Sequence, residues 1–156
     1  ISALMMPKFL SWRSHRFFNE RTYNKTTNFI YTSYTGQKFS SDVRGRVWEG
    51  ATVTTVALQV AFHMGFDQVI LIGVDHNFAS KGDANKTVTS EGDDPNHFMP
   101  NYFGKGVRWQ LPDLDTSEVG YLMARQAYTQ AGRQVIDATV CGKLTVFPKV
   151  DYNSLF

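Results

Sequence analysis

The sequence predicts an α/β fold: one domain over residues 1–156, arranged as a three-layer sandwich around a mostly parallel sheet. Three observations carry this. Residues 69–74 are an unbroken apolar run rich in β-branched side chains, the pattern of a central strand covered on both faces. A segment with helical period stands directly before it and ends in a glycine turn. A second helix signal, followed by a second short apolar run, comes later. Strand, helix, strand in that order implies a right-handed crossover and a parallel pair.

Taken in order, residues 7–10 and 28–32 read as strands, and the polar, aromatic-mixed stretch between them has no assignable period. Helix signals cover residues 53–64. Thr52 is a good N-cap, because its hydroxyl can accept from an orphan N–H of the first turn. Val53, Val56, Ala57, Val60, Ala61 and Met64 follow one helical face, and Leu58 and Phe62 add a second. Gly65 suits the left-handed residue after the helix, with Phe66 packing back on the last turn. Asp115-Thr-Ser-Glu118 is a capping-box variant that opens a helix over 116–131. Val119, Leu122, Met123, Gln126 and Ala127 mark its inner face, and Gly132 closes it. Residues 134–138 are a short strand and 144–147 a further one, and Leu155 and Phe156 end the tail by docking on the core.

Composition narrows the class. A net charge of +2 implies no strong nucleic-acid or membrane field. Arg13, His15, Arg16 and Arg21 lie among aromatics but have no recognition helix or platform motif with them, so a solvated loop and no nucleic acid is the expectation. The single cysteine, Cys141, rules out an internal disulfide and points to a reducing, cytoplasmic setting. No segment reaches the apolar length of a transmembrane span. Ile1 is not a start methionine, which reads as the carboxyl-terminal portion of a longer protein.

A strand's carboxyl end and a helix start face the same crevice in open α/β sheets. That makes Asp75 and His76, after the strand, and Thr52, before the helix, site candidates. Asp75 suits a ribose or sugar hydroxyl, or a cap for its own loop. The stretch from Asp75 to Asp115 lacks period and is dense in polar and aromatic residues, as binding loops are. In it, His97 can serve as a general base for an attacking hydroxyl, or as a structural histidine. Glu91, Asp93 and Asp94 beside it match no metal motif and read as a solvated acidic turn, so no metal is expected. No GxGxxG, no P-loop and no serine elbow occurs.

Thr52-Val-Thr54, Met64-Gly-Phe66, Leu71-Ile-Gly-Val-Asp-His76 and Asp94-Pro-Asn-His-Phe98 together resemble the MptE-like 6-hydroxymethylpterin diphosphokinase family of uncharacterised bacterial proteins. That family is similar in fold and motif order to Campylobacter-type sialyltransferases and motility-associated flagellin glycosyltransferases. The resemblance runs from about residue 48 to 156, and more loosely before it. It implies a Rossmann-like, sialyltransferase-like fold lacking its amino-terminal portion. It implies nucleotide contacts from Thr52, Val53, Thr54, Asp75, His76 and Asn77, and a general base at His97. The sialyltransferases carry tyrosines after the strand, where this chain has His76, Asn77 and Phe78; Tyr102 is the candidate to replace them, with Asn96 a further pocket candidate. The first functional expectation is a glycosyltransferase using a nucleotide-sugar donor, CMP-linked by the resemblance, and a glycan or small alcohol acceptor. The alternatives are a Mg²⁺-dependent diphosphokinase acting on a pterin-like alcohol, or an inactive nucleotide-binding module. Oligomerisation stays open.

Overall fold

The computed structural model describes residues 3–19, 23–78, 82–92 and 104–156. It is a mixed α/β fold with small, mostly parallel sheets. Strands β1 (Lys8–Ser11), β2 (Thr27–Ser33) and β3 (Arg46–Trp48) form a parallel sheet in that order. The first two overlap the predicted strands 7–10 and 28–32. The third is three residues long, too short to leave a period in the sequence.

Helix α1 (Val53–His63) follows, and Thr52 caps it, its hydroxyl accepting from the Thr54 N–H at 3.3 Å. The end is a Schellman turn. The Phe66 N–H donates to the Ala61 carbonyl at 3.2 Å and the Gly65 N–H to the Phe62 carbonyl at 3.1 Å, with Gly65 at φ +88°. Phe66 itself is exposed rather than packed back. One flank of α1 puts Val56 and Val60 against Ile30, Val43 and Val47; the other joins Leu58 and Phe62 to Leu71, Ala124, Tyr128 and Val135. The helix therefore belongs to two small cores. The predicted apolar face does not hold at its ends, since Val53 and Met64 are exposed, while Gln59 is fully buried.

Strand β4 (Gln68–Leu71) is shorter than the predicted 69–74. Among the described residues it pairs on one side only, so it is an edge strand and not an interior one. Val69 and Leu71 face the core, but Ile70 and Ile72 are 38% and 57% exposed. An apolar run does not by itself distinguish one covered face from two. Inside the stretch that lacked any period, β5 (Thr87–Thr89) and β6 (Arg108–Gln110) pair antiparallel.

Helix α2 (Leu114–Gln130) is capped by Asp113, two residues before the predicted box: its carboxylate accepts from the Thr116 N–H and hydroxyl, both at 2.9 Å. These bonds hold the Asp113 carboxyl below the usual range. The inner face is also shifted. Ser117, Gly120, Tyr121, Ala124 and Tyr128 are buried, whereas Leu122 and Gln126 are exposed. Small residues let α2 approach α1, and two tyrosines supply the apolar area that a count of aliphatic residues overlooks. The closest approach is at Gly120. A methyl group there would lie 2.6 Å from Thr55 Oγ1, a buried hydroxyl with no partner among the described residues. Gly120→Ala should accordingly cost about 1–3 kcal/mol, the usual cost of overpacking. The loss should largely vanish in a Thr55→Ala background, measured by urea unfolding. Equal cost in both backgrounds would show that the contact is not the cause.

Gly132, at φ +70°, ends α2 as expected, and β7 (Gln134–Asp137) returns parallel to β4, Val69 beside Val135. Residues 144–147 are not a strand. Leu144, Val146 and Phe147 are buried as irregular chain, and the only pairing nearby is a bridge between Asp137 and Lys149. The tail forms a short 3-10 turn, Tyr152–Leu155, and leaves Phe156 91% exposed, so the predicted docking does not occur. Among the described residues no helix is long and apolar enough to cross a membrane.

Candidate functional site

The turn after β3 and the turn after β4 both line a cleft of about 470 Å³ and form its two walls. The first wall is strained. Gly50 and Ala51 both have left-handed φ, +55° and +56°, in a turn closed by the Thr52 N–H donating to the Glu49 carbonyl at 3.2 Å. Glycine accepts that conformation freely; alanine does so only at a cost. A methyl on Gly50 would also meet Thr55 at 2.7 Å. The turn thus delivers Thr52 and Thr54 to the cleft while Val53 points to solvent, 79% exposed and off the lining.

The second wall carries Asp75, His76 and Asn77, all on the lining. His76 is the other strained residue, with φ +50°. Its side chain is 12% exposed; the ring meets Tyr121 edge-on at 5.9 Å, and Nε2 lies 3.7 Å from the Glu118 carboxylate. Helix α2 closes the floor with Ser117 and Tyr121. Burial pushes the Tyr121 phenol above its ordinary value, against the opposing pull of the Thr52 and Thr54 hydroxyls. Ser117 and Tyr121 line the cleft and Glu118 faces His76, and none of the three stands out in the sequence as a site residue, where the inner face of α2 reads along another stripe.

A buried ion pair supports the second wall from behind. Asp137, at the end of β7, is fully buried and accepts from Lys149 Nζ at 2.6 Å and from the Thr139 N–H at 2.8 Å. Burial alone raises such a carboxyl, but Lys149 and Thr139 together hold it below the ordinary range. The Thr139 hydroxyl then accepts from the Val74 N–H at 3.0 Å, and the Lys143 N–H donates to the Asp75 carbonyl at 2.7 Å. The loop between them carries exposed Cys141 at φ +58°.

Of the predicted site, Thr52, Thr54, Asp75, His76 and Asn77 meet in one cleft, though the two segments lie far apart in sequence. His97, Asn96 and Tyr102 lie outside the described residues, as do Asp93 and Asp94 of the acidic turn. The described lining holds no lysine or arginine, and its one basic group, His76, faces Glu118. No family model, curated protein or solved structure matches the chain.

Proposed function

We propose that the cleft binds a nucleotide or nucleotide sugar, and that the chain is the Rossmann-like, sialyltransferase-like portion of a glycosyltransferase. The observation that carries this reading is the convergence of the capped start of α1 with the turn after β4 on one cleft. The positive end of the α1 dipole favours a phosphate oxygen here, with the Thr54 and Thr55 N–H groups already bonded to Thr52. The Thr52 and Thr54 hydroxyls, which reach Tyr121 in the free cleft, would turn to the ligand, and Asp75 would accept from ribose or sugar hydroxyls. His76, fixed against Tyr121, orients the ligand. His97 is the proposed general base for the acceptor hydroxyl, a role carried by the resemblance. The diphosphokinase reading is the less favoured one. A pyrophosphate donor with Mg²⁺ needs strong counter-charge, and the described lining offers only His76, already facing Glu118.

The test is a thermal-shift and calorimetric screen of cytidine, uridine, guanosine and adenosine nucleotides, with and without Mg²⁺. A cytidine nucleotide should bind without metal, and Thr54→Val should weaken it roughly three- to tenfold by removing one hydrogen bond. His97→Ala should leave binding intact and lower turnover about 10²- to 10⁴-fold. Binding that appears only with Mg²⁺ and a purine triphosphate would replace this reading with the diphosphokinase. No nucleotide binding at all would reject both.

A further inference from the structure

The β1–β3 sheet has a second face, turned away from α1. Alternation places Phe29 and Tyr31 on it, opposite in sense to Ile30 and Thr32. Arg46 stands beside Tyr31 in register and holds its guanidinium 5.8 Å from the ring centre. The 3-10 segment after β1 (Trp12–Phe17) crosses the same face. Trp12 stacks on His15 at 4.2 Å and meets Phe29 edge-on, and Phe18 and Tyr23 complete an aromatic-walled pocket of about 470 Å³. At the carboxyl edge, Arg13 lies 4.7 Å over Tyr34. Trp12, Tyr31 and Tyr34 are 49%, 53% and 68% exposed.

Charge is also unevenly divided along the chain. Residues 1–48 carry eight Lys and Arg against two Asp and Glu, while residues 49–156 carry eight against twelve. The small net charge of the whole chain conceals a strongly basic first third. Sequence order suggested a solvated loop because Arg13 and Arg16 had no aromatic platform beside them. The platform comes from Tyr31 of β2, Tyr34 just after it and Arg46 of β3.

We propose that this face binds single-stranded nucleic acid. Exposed rings on a sheet accept unstacked bases, and neighbouring guanidinium groups take the phosphates. The pocket beside Phe29 is walled by flat rings, as one base requires. The helical segment on this face is the six-residue 3-10 turn Trp12–Phe17, too short to fill a duplex groove. A lipid surface fits less well, since Arg13 and Arg46 lie over the tyrosine rings that would have to enter hydrocarbon. The proposal is independent of the cleft.

Fluorescence anisotropy of the full chain with labelled oligouridylate and oligothymidylate tests it. A duplex of equal length, heparin and phosphatidylglycerol vesicles serve as comparisons. Single strands should bind tightest, with affinity falling steeply as salt rises. Tyr34→Ala should weaken binding on the order of tenfold, the loss of one stacked base. Tyr34→Phe should retain binding, because it keeps the ring. Arg13→Ala should lower the salt slope by about one phosphate. Both side chains are exposed, so an unchanged melting temperature should accompany these effects. Thr54→Val should leave oligonucleotide binding untouched. Equal binding of duplex or heparin, equal losses in Tyr34→Ala and Tyr34→Phe, binding of vesicles without oligonucleotides, or no oligonucleotide binding would each overturn the proposal.

Discussion

Lys149→Met is expected to destabilise the protein by about 3–5 kcal/mol, the cost of leaving a buried charge without its partner. The pair is asymmetric: Asp137 has no exposed side-chain surface, whereas Lys149 is 40% exposed. Removing the lysine strands a carboxylate with only Thr139 to hold it. Removing the acid, as in Asp137→Asn, frees an ammonium that can turn to water, and should cost less, about 1–3 kcal/mol for the impaired hydrogen bonds. The double variant should be more stable than Lys149→Met alone. Acid distinguishes the variants further. In the unaltered protein the Asp137 carboxyl lies below its ordinary 3.8, so its stabilisation is present above that pH and is lost as pH falls through the lower folded value. Without Lys149, burial is opposed by the Thr139 bonds alone, so the carboxyl is expected to move up, and the stability it contributes in acid should be smaller or reversed in sign. Urea unfolding across pH checks the sign. Parallel acid profiles in the two proteins would refute the account.

The second large effect is expected at Gln59→Leu, at about 2–4 kcal/mol. Gln59 accepts from the Ser40 N–H at 2.9 Å and donates to the Trp48 and Thr55 carbonyls at 2.8 and 3.0 Å. It is fully buried, so leucine is a fair match in volume and gains nothing that water would return. The Ser40 N–H and the Trp48 carbonyl are left unpaired, each costing about 1–3 kcal/mol. Gln59→Glu should fail differently: its carboxylate can still accept from Ser40 but repels the Trp48 carbonyl. A Gln59→Leu protein as stable as its parent would mean that water reaches both groups.

What was legible in the sequence was what local chemistry decides. Thr52, Gly65 and Gly132 stop and start helices through bonds within a few residues, and each stands where those bonds predict. β1, β2 and β7 show because each holds two or more adjacent apolar residues within a short stretch bounded by polar ones. The failures share a cause, which is that burial belongs to the partner as much as to the segment. The 69–74 run reads the same whether one face or two are covered. Gly120 and Tyr121 form the real contact stripe of α2 because Thr55 and the cleft lie opposite, and nothing near them in sequence says so. Most of the 144–147 stretch is buried like a strand, but among the described residues it has no strand to pair with. The candidate site was legible in its two walls, since strand ends and helix starts announce themselves. Its floor was not, because Ser117, Glu118 and Tyr121 enter through the packing of one helix on another.

The loop that carries Cys141 gives the cleft a built-in reporter. It is the only thiol in the chain, it is exposed, and it sits between Thr139 and Lys143, the two residues bonded to the backbone of Val74 and Asp75. A small environment-sensitive dye attached there stands outside the lining but is mechanically joined to it. Ligand entry that shifts the Asp75 turn even slightly would be read as an emission change, with no engineered cysteine and no mutation of a cleft residue.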